Sequence, residues 1–131
     1  PLAGGWLTGK YRRNQPPPPD SRVGRGDRWD DLPEQRETDH TWNIIDALIA
    51  IAEANNKTPS QVAVNWVLRQ PGVTAPIFGA RTPEQLAQNL GSVGWKLSVE
   101  EVTRLNEVSA IPLPSPYNFI SRYTRKRVPP S

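Results

Sequence analysis

The chain has 131 residues, enough for one modest hydrophobic core, but only 36% of them are hydrophobic and 15 are proline, so much of the chain is expected to be irregular. Zero cysteines exclude disulfides and thiolate metal sites, and a single histidine leaves little for zinc, so we expect a cytoplasmic protein with no metal. The formal charge of +3 owes part to Arg122, Arg125, Lys126 and Arg127, a short basic terminus that reads as solvated rather than as a nucleic-acid surface, and the longest apolar stretch, Ile44 to Ala52, is too short for a membrane span.

The first eleven residues, Pro1-Leu2-Ala3-Gly4-Gly5-Trp6-Leu7-Thr8-Gly9-Lys10-Tyr11, carry glycines and a lysine in a pattern that suits a backbone wrapped around a pyrophosphate, although glycine-rich turns are common. Trp6 either walls a substrate pocket or packs beneath the loop that follows. From 12 to 37 no periodicity is visible, and Gln15-Pro16-Pro17-Pro18-Pro19-Asp20 cannot continue a helix or a central strand. A loop this long is either a functional lid or a mobile linker.

Residues 39–54 have an apolar stripe of Ile44, Ile45, Leu48, Ile51 and Ala52, which predicts a helix ended by Asn55-Asn56. Thr58-Pro59-Ser60-Gln61 is a capping box with proline at the first helical position, opening a second helix through Gln70 that turns Val62, Ala63, Trp66 and Val67 inward. Pro71-Gly72 stops it, and Val73 to Phe78 reads as a buried strand. Thr82 as N-cap, Pro83 and Gln85 start a third helix that Gly91 terminates; Ser98-Val99-Glu100-Glu101 starts a fourth, with Val102, Leu105 and Val108 on its buried face, to about Ser109. Residues 111–131 alternate proline, aromatic and basic residues and are expected to form an irregular arm.

The stretch from Thr74 to Asn89 has the makings of a phosphate site, because a helix N-terminus offers unpaired N–H groups and positive potential, and Arg81 stands beside it. A cation there opposes the helix dipole unless an anion sits between them. Arg81, Gln85 and Asn89 follow at four-residue spacing, so Gln85 and Asn89 share a face and can follow a ligand that begins at Arg81. Thr82 could give its hydroxyl to the phosphate, but its role as cap already explains it, and Gln85 is likewise explained by the cap. The amide of Asn89 suits an adenine edge.

The run Gly79-Ala80-Arg81-Thr82-Pro83-Glu84-Gln85-Leu86-Ala87-Gln88-Asn89 resembles the adenosine 2′-phosphate site of the aldo-keto reductases, especially the branch with potassium-channel β-subunit-like enzymes. Residues 1–11 resemble the end of that family's seventh barrel strand and the loop that crosses the cofactor's pyrophosphate. The likeness extends over almost the whole chain, including 97–102 and 111–117. It implies an α/β fold: the C-terminal portion of a (β/α)8 TIM barrel, helix-rich, with about two barrel strands and long irregular loops. The chain would then be a single partial domain, with strand end and cofactor loop at 1–11, proline-rich loop at 12–37, helices, strand 8 and phosphate-site helix at 38–110, and C-terminal arm at 111–131.

The same resemblance implies NADP(H) as cofactor, held by Leu2, Gly4, Gly9, Lys10, Arg22, Gly79, Ala80, Arg81, Thr82, Gln85, Gln88 and Asn89. Arg22 would help hold the proline-rich loop over the cofactor, and Tyr117, Phe119 and Tyr123 would either shape substrate choice or cover an apolar surface. No catalytic residue is expected here, because the family's Asp, Tyr, Lys and His come from the first four strands, and His40, Tyr11, Tyr117 and Tyr123 match none of them. The sequence contains no methionine and opens abruptly at a strand end, which leads us to expect upstream sequence. The expected function is thus the NADP(H)-binding segment of a carbonyl oxidoreductase, inactive alone and reaching a small carbonyl substrate only with the missing part. The alternative is a non-enzymatic nucleotide-binding module or structural remnant that forms an oligomer.

Overall fold

Among the described residues four α-helices form, the first along the expected apolar stripe and the other three at the expected capping signals. A computed structural model of the chain describes residues 1–26, 37–112, 114–117 and 119–120, and the expected contributions of Arg122, Tyr123, Arg125, Lys126 and Arg127 and of the second half of the proline-rich loop lie outside the described residues. Helix α1 spans Asp39–Ala54, with the Thr38 hydroxyl accepting the Thr41 N–H. Its C-terminus closes through Asn56 at φ 52°, a left-handed conformation that asparagine tolerates, and through the Lys57 N–H donating to the Ala52 carbonyl. Helix α2, Pro59–Leu68, has the full capping box: Thr58 Oγ1 accepts the Gln61 N–H and Gln61 Oε1 accepts the Thr58 N–H. Helix α3 is Pro83–Leu90 and α4 is Val99–Val108, the latter with a complete Ser98–Glu101 box.

The α3 cap departs from the expected form. Thr82 Oγ1 accepts the Gln85 N–H, but the Gln85 side chain reaches one residue further back and accepts the N–H of Arg81 at 2.9 Å. The reciprocal bond is therefore used to hold the backbone of Arg81.

Helix α1 packs on both α2 and α4, and α2 also touches α3 and a 3-10 segment at Ala3–Thr8. The main core joins Ala47, Leu48, Ile51 and Ala52 of α1 to Val62 and Ala63 of α2 and to Leu97 and Leu105, with Trp66, Trp95, Val102 and Val108 packed around it. A fully buried Val, Leu or Ile contributes about 1.5–3 kcal/mol, which makes this cluster the main source of stability. A second cluster unites Trp6, Tyr11 and Ile45, with the Trp6 ring 4.7 Å from Tyr11 and edge-on to Trp42 at 5.8 Å. Trp6 thus packs beneath the loop, at 5% exposure.

Asn65 ties the segment between α3 and α4 to α2. Its Nδ2 donates to the carbonyls of Ser92 (2.8 Å) and Trp95 (3.0 Å), and its Oδ1 accepts the Leu97 N–H (3.3 Å). Two cap residues act as ties as well: Gln61 Nε2 donates to the Gln88 carbonyl of α3, and Glu101 Oε1 accepts from Asn55 at the end of α1.

The expected strands are a correction. Among the described residues no β ladder forms: residues 1–2 lead into the 3-10 turns, and residues 73–78 run without a partner, with Ile77 89% exposed. A strand's N–H and C=O groups are satisfied by a neighbouring strand, and none is present among the described residues to pair with this one. The described part is helix-rich, and the first half of the proline-rich loop is ordered by turns, with Ser21 N–H donating to the Pro18 carbonyl and Ser21 Oγ accepting the Gly24 N–H. In the arm, Tyr117 and Phe119 are largely exposed. No helix among the described residues is long and apolar enough to cross a membrane.

Candidate functional site

A cleft of about 740 Å³ opens where three separated segments meet: the glycine turn at the start of the chain, the end of the ordered proline-rich turns, and the segment from Ile77 into α3. Ala3–Thr8 winds as tight turns because Gly4 and Gly5 take φ of 64° and 101°, which side-chain-bearing residues rarely adopt. That winding brings two cations to one wall. The position a Cβ on Gly4 would occupy lies 3.8 Å from Arg22 Nη1, and that of Gly5 lies 3.1 Å from Lys10 Nζ. The Lys10 ammonium also stands over the Tyr11 ring at 5.2 Å.

On the opposite wall α3 presents Gln85, Gln88 and Asn89, with Arg81 just before the helix. Arg81 is exposed and its guanidinium has no hydrogen-bond or ion-pair partner among the described residues. Asn89 is only 5% exposed, and its side-chain amide also lacks a partner there. An amide with no partner in the fold, on a cleft lining, is available to a polar ligand. The cations lining the cleft are Lys10, Arg22 and Arg81, against the single carboxylate of Asp20. Such a basic cleft with amides beyond it suits an anion attached to a ring with hydrogen-bonding edges.

Of the residues expected from the sequence, Leu2, Gly4, Lys10, Arg22, Gly79, Ala80, Arg81, Gln85, Gln88 and Asn89 line this cleft together. Gly9 and Thr82 are not among the lining residues. Gly9 ends the 3-10 segment at φ 78°, and a Cβ there would lie 2.7 Å from Pro59 Cγ, so close packing against α2 accounts for the glycine. Thr82 serves as the N-cap. Asp20, Ser21 and Ser60 line the cleft without having been singled out from sequence. Ser60 sits inside a capping box whose other members explain the local pattern, and no periodicity signals which cleft its side chain meets.

Glu84, at the second position of α3, is held below the ordinary carboxylate value of 4.5, first by its own backbone N–H and then by the Thr82 hydroxyl. It is not among the residues lining the cleft, which leaves the positive character there to the three cations. Among the described residues no group of three His, Cys, Asp or Glu side chains is placed to hold a metal ion.

The chain is 35% identical over 113 residues to a protein of Schizosaccharomyces pombe named for a voltage-gated potassium channel subunit beta, covering 82% of this chain and 32% of that one. It is 32% identical over 109 residues to the L-glyceraldehyde 3-phosphate reductase of Escherichia coli O157:H7, covering 82% and 31% respectively. It is 36% identical over 106 residues to the chloroplastic pyridoxal reductase of Arabidopsis thaliana, covering 80% and 26%. The chain therefore spans about a third or less of the length of these relatives. The sequence pattern of the aldo/keto reductase family matches residues 1–110, which takes in the whole cleft, and on that match the chain belongs to the aldo/keto reductase family.

Proposed function

We propose that this chain is the NADP(H)-binding, C-terminal part of an aldo-keto reductase-type oxidoreductase, built on the last strands and helices of a (β/α)8 barrel. The observation that carries the reading is Asn89: a residue 5% exposed, its amide without a partner among the described residues, in the wall of a cleft that also presents the cations Lys10, Arg22 and Arg81. The residues present fit a phosphorylated dinucleotide. Arg81 would fork onto the adenosine 2′-phosphate, fixed in place by the Gln85 bond to its N–H. Asn89 and Gln88 would meet the adenine, and Lys10, Arg22 and the turn at Gly4 and Gly5 would neutralise and wrap the diphosphate. When bound, the nicotinamide group supplies the hydride that reduces a small carbonyl substrate.

The residues that donate the proton and fix the carbonyl come, in this reading, from earlier barrel strands not represented in this chain, so the chain alone holds cofactor without turning it over. The cysteine-free composition suits a cytoplasmic protein. Calorimetry tests the assignment: Arg81→Ala should weaken NADP(H) binding by about 1.5–3 kcal/mol and NAD(H) binding much less. Equal losses for both would show that Arg81 does not read the 2′-phosphate. A second reading, a non-enzymatic module that self-associates, draws on the exposed Ile77, Leu86 and Leu90. Sedimentation of the isolated chain as a folded monomer would dismiss it.

A further inference from the structure

The lining residue that the nucleotide reading leaves unused is Ser60, at the second position of the ten-residue helix α2. It is 5% exposed, and its hydroxyl makes no hydrogen bond among the described residues. The rest of that helix start is satisfied: Thr58 Oγ1 takes the Gln61 N–H, Gln61 Oε1 takes the Thr58 N–H, and Pro59 has no N–H to offer. A hydroxyl that finds no partner within the fold, on a side chain lining a cleft, is free to bond a polar ligand there. Ser60 also sits between the two walls. Pro59 on one side packs against Gly9 at the end of the glycine turn, and Gln61 on the other donates to the Gln88 carbonyl of α3 at 2.9 Å.

We propose that Ser60 is a ligand contact of the cleft, its hydroxyl donating to an anionic oxygen of the diphosphate where the ligand passes from the Lys10–Arg22 wall to the Arg81–Asn89 wall. The positive end of α2 adds to the attraction for negative charge at this point. The contact makes Ser60 a positioning residue: it sets how the dinucleotide bends between its two halves, while Arg81 selects the 2′-phosphate. This inference rests on the nucleotide reading above.

The test is titration calorimetry of the full protein and its Ser60→Ala variant with two ligands, NADP⁺ and adenosine 2′-monophosphate, the latter lacking the diphosphate. Alanine is the better helix former, so the variant does not endanger α2. Ser60→Ala should lower NADP⁺ affinity roughly tenfold, the loss of one hydrogen bond to a charged group, and leave adenosine 2′-monophosphate unchanged. Arg81→Ala, measured in parallel, should weaken both ligands. Unchanged NADP⁺ affinity in Ser60→Ala, or proportionate loss of both ligands, would overturn the Ser60 contact while leaving the nucleotide reading intact wherever Arg81→Ala behaves as expected. Failure of the unsubstituted protein to bind either ligand would overturn both.

Discussion

Replacing Asn65 with alanine should destabilise the protein more than its single polar side chain suggests. The side chain is 2% exposed and closes three hydrogen bonds to the segment joining α3 to α4: two donated to the Ser92 and Trp95 carbonyls, one accepted from the Leu97 N–H. Ser92 and Leu97 are 1% and 2% exposed, so truncation strands at least two buried backbone groups, while the half-buried Trp95 carbonyl is the easiest for water to reach. A lost buried partner costs about 1–3 kcal/mol, and partial relaxation brings the sum to about 3–5 kcal/mol. Against a typical total of about 5–15 kcal/mol this is a large share. Urea unfolding followed by far-ultraviolet circular dichroism measures it, with the slope checked for constancy. Asn65→Asp separates bonding from volume, since it keeps the acceptor for Leu97 but sets an oxygen against two carbonyls, and it should be no more stable than the alanine variant. A loss below about 1 kcal/mol in Asn65→Ala, or a well-tolerated aspartate, would refute the view that this asparagine pins the segment that follows α3.

Gly9→Ala should cost about 1–3 kcal/mol, read as a lowered unfolding midpoint, because φ is 78° and the new Cβ would press on Pro59 Cγ; an unchanged midpoint would contradict the close packing. Gln61→Ala should lose both the cap to the Thr58 N–H and the tie to Gln88, about 1–2 kcal/mol in the same assay, whereas Gln61→Glu keeps the cap and should recover part of it. Glu100 is held below 4.5 by its own backbone N–H and then by the Ser98 hydroxyl, so its contribution is present above its unfolded value and fades as pH falls through the folded one. Glu100→Gln should therefore lower the urea midpoint at neutral pH and have no effect in strong acid, and a difference independent of pH would show that the carboxylate charge is not involved.

The helix starts were legible in the sequence because capping is local chemistry. Thr58, Thr82 and Ser98, the caps read from the sequence, each accept an N–H three residues on, a bond that requires nothing from the rest of the molecule, and the structure adds Thr38 as the cap of α1. Arg81, Gln85 and Asn89 were legible for the same reason, since spacing along one helix sets which residues share a face. The strand at 73–78 did not form among the described residues because strand pairing is non-local, and a hydrophobic run cannot supply its own partner. The second bonds of Gln61 and Glu101, to Gln88 and Asn55, were equally invisible: the pattern that marks each residue as a cap is complete without them. Asn65 and Ser60 lie within an apolar helix whose periodicity accounts only for its hydrophobic members, and each acquires its role from a segment about thirty residues away or from a cleft that exists only once the glycine turn and α3 have been brought against α2. Local hydrogen bonding thus determined where the helices begin, and tertiary packing alone decided which of their buried polar groups are satisfied within the fold and which are left facing the cleft.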